Sequence, residues 1–311
     1  MDRRTRLIEI FRDTQKFYRE NETLAEAIRY SKENTKLYAA DDYPDLPGIG
    51  SGTGAESGAE SAAQSSEAAE KAVLTMVDDK NDIAKAEVST SKTFEAAVRL
   101  HREYPGKRIA VLNFASAVNP GGGVKGGSSA QEERLCRCST LYPCLDRRWL
   151  WKEYYSVNRH ENNRLNTDVC IYTPGVIICK TDEDYPERVG DGDFVTVDVI
   201  TCAAPDLREA PLLWTNPATG RAVRMDPERL YQLHVKRARH ILHVAAANRA
   251  DILVLGAFGC GAFANDPDTV ARAYRRALIP YRLRFDVVEF AIYCREHETE
   301  NYEAFEGWFG E

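Results

Sequence analysis

The feature that most restricts the fold of this chain is an alternation of short apolar runs with capped helical segments, which starts near residue 73 and continues to the end. The runs read as strands: IAVLNFAS (109–116), DVCIYT (168–173), GVIICK (175–180), FVTVDVIT (194–201), DILVLGAFG (from Asp251) and VVEFAIY (287–293). They are short, rich in β-branched residues and bounded by Gly, Pro or Asp. Helical segments stand between them. One is expected near 92–104, with Phe94 and Val98 inward, and another from about 131. Asp226 is placed to cap a third, Pro227 suits its first position and Glu228 favours its dipole. Leu230, Leu233, Ile241 and Val244 then mark its buried face. A fourth starts at Asp266-Pro267, with Val270, Tyr274 and Ala277 on one side. Residues 139–166 are polar and aromatic, and read as helical pieces and loops. Strands alternating with helices imply a mixed or parallel sheet covered on both faces. No internal repeat is visible.

Ahead of this core, residues 3–40 show helical periodicity: Leu7, Ile10, Phe11, Thr14 and Phe17 recur at spacings of three and four. Residues 48–71, GIGSGTGAESGAESAAQSSEAAEK, hold one large aliphatic residue, Ile49, and no aromatic. Such a stretch buries too little apolar surface to offset the entropy of ordering, and a mobile loop is expected. It is not read as a domain boundary, because the helical part before it is too short to fold alone. The expectation is one domain over 1–311: a helical extension (1–47), the loop (48–71) and a core (73–311).

Composition sets outer limits. Hydrophobic residues make up 43% of the 311, enough for a sizeable core. A net charge of −7 argues against a broad surface for duplex nucleic acid. It leaves room for an anion held by backbone amides, which carry no formal charge. No apolar run approaches the roughly 20 residues that span a bilayer, and the charged start does not read as a signal peptide. Several of the eight cysteines (Cys170, Cys179, Cys202, Cys294) sit in apolar, strand-like runs. Free thiols in a reducing cytoplasm are the expectation. Cys136, Cys138 and Cys144 have neither the spacing nor the fourth ligand that zinc wants, so no metal is expected. His234, His240 and His243 share one expected helix, with packing or surface roles. Trp149, Trp151, Tyr154 and Tyr155 read as a helical packing face, with a substrate rim as the alternative.

Two glycine-rich segments follow strands: NPGGGVKGGSSAQEE (119–133) and GAFGCGAFAND (256–266). Ligands of such sheets lie beyond the carboxyl ends of the strands. Glycine permits positive φ and close approach, so successive N–H groups can converge on an anion. Two such loops at neighbouring strand ends could grip a diphosphate from both sides. Neither matches G-x-G-x-x-G with its acidic partner or G-x-x-x-x-G-K-[ST], which disfavours a nicotinamide enzyme or an NTPase.

The order GGG (Gly121, Gly122, Gly123), seven residues, then QEE (Gln131, Glu132, Glu133) resembles the signature of poly(ADP-ribose) glycohydrolases. With NFASAVNPGGG, QEERLCRCSTLYPCL, VITCAAPDLR and LVLGAFGCGAFAND, the chain resembles the bacterial-type branch of that family. The resemblance runs from about residue 70 to the end, and more loosely through the N-terminal helices. It implies a three-layer α/β/α macrodomain-like mixed sheet with an added N-terminal helical part. It implies that Glu133 is the catalytic glutamate, and that Glu132 and Gln131 orient the distal ribose and the linkage. Gly121, Gly122 and Gly123 would approach the diphosphate and ribose. Gly259, Cys260, Gly261 and Ala262 would offer backbone donors to the diphosphate, and Phe263 would pack on the terminal ribose. Ile292 would line the adenine site, with Asn113 and Asn119 as ribose or loop-ordering contacts. Asp206 departs from the pattern, where asparagine is expected.

The expected activity is hydrolysis of the ribose–ribose O-glycosidic bond, releasing ADP-ribose from poly(ADP-ribose) on modified proteins. The expected enzyme is monomeric and needs no cofactor. Adjacent residues on a helix point about 100° apart, so Glu132 and Glu133 cannot flank one bond as the usual carboxylate pair does. Glu133 is therefore expected to act first as acid and then as base. A non-catalytic ADP-ribose reader and a hydrolase of another ADP-ribosyl linkage are the alternatives.

Overall fold

The computed structural model describes residues 1–47, 86–161, 163–209 and 223–310. The expected mobile loop at 48–71 lies outside the described residues. The strands are β1 (Lys36–Tyr38), β2 (Ala86–Ser89), β3 (Ile109–Phe114), β4 (Cys170–Ile178), β5 (Val195–Cys202), β6 (Ile252–Leu255) and β7 (Val287–Ala291). They form one seven-stranded sheet in the order β1-β4-β5-β3-β6-β7-β2. β5, β3, β6, β7 and β2 run parallel, and β4 is antiparallel to both of its neighbours.

The main helices are α1 (Arg3–Glu20), α2 (Glu22–Asn34), α3 (Thr93–Glu103), α4 (Gln131–Cys138), α5 (Pro227–Ala247), α6 (Pro267–Leu278) and α7 (Glu300–Phe309). Strand side chains alternate between two cores, as the pleat requires. Ala110, Leu112, Leu253 and Leu255 face one core, with Ile241 and Leu242 of α5 and Tyr274 of α6. Ile109, Val111, Ile252 and Val254 face the other, with Phe94 and Leu100 of α3 and Leu135 of α4. Both faces are covered, which is the α/β/α layering expected. The caps also form: Asp226 Oδ1 accepts from the Glu228 and Arg229 amides, and Asp266 Oδ2 from the Thr269 amide.

Three details differ from the sequence reading. The helical stretch expected over 3–40 breaks at Asn21, whose N–H closes α1 on Phe17 O while its Oδ1 caps α2 at the Leu24 amide. Residues 36–38 leave the helix to form the edge strand β1 against β4. The runs expected as separate strands at 168–173 and 175–180 are one strand, β4. Its register shifts between Thr173 and Val176, and Gly175 sits at φ +72 with its N–H donated to Asp198 Oδ1 of β5. Pro174 is tolerated because the β1 ladder covers only Cys170, Ile171 and Tyr172, so no neighbour on that side needs its N–H.

The N-terminal helices pack against the core through Leu7, Phe11 and Phe17, each buried. Burying a side chain of this size is worth about 1.5–3 kcal/mol. Thr14 Oγ1 donates to Arg137 O of α4 at 2.6 Å, and Arg4 Nε to Gly126 O at 2.6 Å. Helix α1 thus braces both the first glycine loop and the helix that carries the QEE triplet.

Candidate active site

β3, β6 and β7 lie side by side and parallel, so the segments after their carboxyl ends meet in space. β3 feeds the first glycine loop and α4. β6 feeds the second and α6. β7 continues into Ile292 and Tyr293. The ends are close: a Cβ on Gly256 would stand 2.8 Å from Ala291 O and 2.9 Å from Phe114 Cζ. At this junction is a cavity of about 440 Å³, within the usual range for a small-molecule site. Gln131, Glu132 and Glu133 line one side, Gly259, Gly261, Ala262 and Phe263 another, and Ile292 a third.

The first loop is organised around the two glutamates. Gly121 and Gly122 take positive φ (+68 and +56), which lets the chain turn its amides inward. Glu132 Oε2 accepts from the Ser116 N–H at 2.7 Å, and Oε1 from the Gly121 N–H at 3.2 Å and Asn113 Nδ2 at 3.5 Å. Burial and the neighbouring Glu133 push the Glu132 carboxyl well above the usual range, while these N–H donors act the other way. Glu133 Oε1 accepts from the Gly123 N–H at 2.8 Å. Its other oxygen, Oε2, is buried and has no hydrogen-bond partner among the described residues. The two carboxyls therefore differ in occupancy: Glu132 is saturated by the protein, and Glu133 keeps one oxygen unengaged.

The amides of Gly121 and Gly123 are thus spent on carboxylates, and that of Gly122 on Asn119 O. The second loop is different. Cys260 N–H closes a turn onto Ala257 O, but the amides of Gly259, Gly261, Ala262 and Phe263 donate to no acceptor among the described residues. Gly261 and Ala262 are exposed at the cavity edge. N–H groups left without an acceptor at a cavity edge are available to an anion.

Of the remaining expected residues, Gln131 lines the cavity with its amide already engaged, and the two asparagines stand behind the wall. Gln131 Oε1 accepts from the Phe114 N–H, and its Nε2 donates to Leu112 O and Thr93 Oγ1, which locks α4 to the end of β3. Asn113 is fully buried beneath Glu132 and also donates to Thr201 Oγ1. Asn119 Oδ1 accepts from Arg159 Nη2 at 2.6 Å. Neither asparagine lines the cavity.

The sequence reading passed over several residues. Ser116 supplies a donor to Glu132, and Tyr293, Arg295, Glu298 and Asn301 extend the cavity past Ile292. Asn265 pins the second loop. Its Nδ2 lies 2.7 Å from Pro205 O, 3.0 Å from Gly259 O and 3.4 Å from Phe263 O. Its Oδ1 is 2.8 Å from His234 Nε2, so the network assigns the proton to that nitrogen. Burial drives the His234 pKa down to about 4 and keeps the ring neutral at neutral pH. Only the helical position of His234 was legible in sequence, since its partner is 31 residues away.

Asp206 pairs with Arg208 at 2.6 Å and Arg164 at 3.1 Å. Burial works to raise its carboxyl, but the two guanidinium groups hold it below the usual range. Arg208 in turn lies over the Phe263 ring at 5.2 Å, and the Leu207 N–H donates to Phe263 O. Among the described residues no three His, Cys, Asp or Glu side chains are grouped to hold a metal ion. Cys136, Cys138 and Cys144 are buried free thiols.

Comparisons with known proteins converge on one family. The model for the microbial-type PARG catalytic domain matches residues 6–181. Poly(ADP-ribose) glycohydrolase from Thermomonospora curvata, bound to the inhibitor ADP-HPD, is 26% identical with a TM-score of 0.72, covering 98% of this chain and 99% of that one. The enzyme from Deinococcus radiodurans in complex with ADP-ribose is 32% identical with a TM-score of 0.64, covering 90% of this chain and 96% of that one. The comparison with curated proteins gave no match. With a family model covering more than half its length, and with the second glycine loop and the QEE triplet assembled at one cavity, this chain belongs to the microbial-type poly(ADP-ribose) glycohydrolases and is a glycoside hydrolase.

Proposed function

We propose that Glu133 is the single general acid and base that cleaves the ribose–ribose bond of poly(ADP-ribose), with Glu132 fixing the loop beside it. The carrying observation is the asymmetry of Glu133: Oε1 is held by the Gly123 N–H, and buried Oε2 has no partner. A carboxyl fixed through one oxygen presents the other in a set direction. Carrying a proton on Oε2, Glu133 donates it to the leaving ribose oxygen as the bond from that oxygen to the anomeric carbon breaks. The bond's electron pair leaves with the oxygen, and an oxocarbenium-like ribose forms. Water then adds to the anomeric carbon and returns a proton to Oε2.

The ligand of the cavity is the terminal ADP-ribose unit. The unengaged amides of Gly259, Gly261, Ala262 and Phe263 receive its diphosphate, whose charge stabilises the cationic ribose. Phe263 packs on the ribose, and Ile292 borders the adenine. We further propose that the chain acts as one monomeric domain over 1–311 in a reducing cytoplasm, where its thiols stay free. No described helix is long and apolar enough to cross a membrane.

The test is release of free ADP-ribose from a poly(ADP-ribosyl)ated protein by the wild type and by Glu133→Gln, with ADP-ribose binding measured on both. General acid–base action contributes about 10²–10⁴-fold, so turnover should fall by that factor while binding survives. Turnover by the variant within threefold of the wild type would remove Glu133 from the chemistry.

A further inference from the structure

We propose that Arg147, Arg148, Trp149 and Lys152 form a second binding site, outside the catalytic cavity, for another ADP-ribose unit of the same polymer. The inference rests on the glycohydrolase reading, which supplies the polymer.

The sequence DRRWLWKEYY sets the geometry. Leu150, Tyr154 and Tyr155 are buried in the core, and this spacing turns Arg148 and Lys152 outward. A helical turn at Arg148–Leu150 runs directly into a wide π-turn at Trp151–Tyr155, which keeps these residues together. Between them is a surface hollow of about 600 Å³, lined among the described residues by these four and by no carboxylate. Trp149 is half-buried and backed by the core. Arg147 is half-buried and anchored by Nη1 on Lys32 O at 3.4 Å. Neither Arg147 nor Arg148 forms an ion pair with a described residue. Nearby Asp146 is already engaged by Tyr142 Oη at 2.6 Å and Trp151 Nε1 at 2.9 Å. Glu153 pairs with Lys152 at 3.0 Å, but both are exposed, and such a pair exchanges at little cost.

A backed indole flanked by three cations matches one particular ligand chemistry. The indole face accepts a nucleobase by stacking, and the guanidinium groups accept paired phosphates through forked hydrogen bonds. Each ADP-ribose unit carries one adenine and one diphosphate. The whole chain is anionic at −7, so attraction for a polyanion has to be local, as it is here. The same segment leads to Arg159, which lies 4.9 Å over the Trp151 ring and holds Val118 O and Asn119 Oδ1 of the first glycine loop. A short path along the chain therefore joins the hollow to the catalytic loop. Single-stranded nucleic acid shares the base and the phosphates, but it spaces its phosphates singly and favours a longer track than one hollow.

The experiment compares wild type with Arg148→Ala/Lys152→Ala, both exposed positions, on chains of two units and on chains of tens of units. We expect KM for the long chains to rise about tenfold in the variant, equivalent to about 1.4 kcal/mol. The kcat should be unchanged, and the kinetics on two-unit chains should be those of the wild type. The milder Trp149→Phe should keep most of the long-chain advantage. An unchanged long-chain KM overturns the proposal, as does an equal loss on two-unit chains. Displacement of long polymer by single-stranded oligodeoxyadenylate at equal phosphate concentration would reassign the hollow to nucleic acid, and would overturn the proposal too. Failure of the wild type to process two-unit chains would instead strike the glycohydrolase reading beneath it.

Discussion

Gly122→Ala puts the catalytic arrangement under the most direct stress. At Gly122 φ is +56, and a Cβ would stand 2.5 Å from Glu133 Oε1 and 3.0 Å from Glu132 Oε2. Real Cβ contacts essentially never fall below 3.0 Å, so the Glu133 carboxyl has to retreat by about 0.5 Å or more. Retreat stretches its bond to the Gly123 N–H and re-aims Oε2. An alanine in the left-handed region costs about 1–2 kcal/mol, and losing a hydrogen bond about 0.5–1.5 kcal/mol. The stability loss is then about 1.5–3.5 kcal/mol. A 1 Å misplacement at a reacting centre costs about 10²-fold, so kcat should fall by roughly 10- to 100-fold. Gly106→Ala is the control: φ is +81, yet nothing lies within 4 Å of the added carbon. It should lose only about 1–2 kcal/mol and keep its kcat. Both variants would be assayed for ADP-ribose release below their melting temperatures, with stability measured by urea unfolding. The reasoning fails if Gly122→Ala matches the Gly106→Ala kcat within twofold.

Other consequences are as concrete. Glu132→Gln puts an amide NH₂ against either the Ser116 or the Gly121 N–H; an unsatisfied buried donor costs about 1–3 kcal/mol, and urea unfolding should show that loss. Asn265→Leu removes the tie on Pro205 O and Gly259 O. ADP-ribose affinity, read by calorimetry, should drop about tenfold or more, with kcat less affected because Glu133 stands on the other loop. His234 gives a pH signature. Its folded pKa, about 4, lies below the usual 6.5, so the unfolded state binds more protons between those values. Stability is lost as pH falls through that window, by about 3 kcal/mol in full. His240 shifts in the same direction. His234→Gln should flatten part of the decline in melting temperature between pH 6.5 and 4, and an unaltered slope would show that His234 is not the source.

Much of the fold was legible because its determinants are local. Caps at Asp226 and Asp266, the apolar face through Val270, Tyr274 and Ala277, and the strands at 109–116 and 251–255 are each set by residues a few positions apart. β1 and β2 escaped notice because strands of three and four residues carry too few alternations to register. Only pairing with β4 and β7 makes them strands.

At the site the division follows the same line. Residue order already placed glycine loops after β3 and β6, opened a helix at QEE and carried the resemblance to the bacterial glycohydrolases. Chain connectivity and residue type are enough for those conclusions. The tertiary structure alone decided which amides face which oxygens. It gave the Ser116, Gly121 and Gly123 N–H groups to the two glutamates, left those of Gly259, Gly261, Ala262 and Phe263 without an acceptor among the described residues, and set Asn265 on three carbonyls with His234 behind it. Hydrogen-bond direction depends on backbone torsions and on partners up to 60 residues away in the case of Asn265 and Pro205, and a linear pattern of residue types does not encode it.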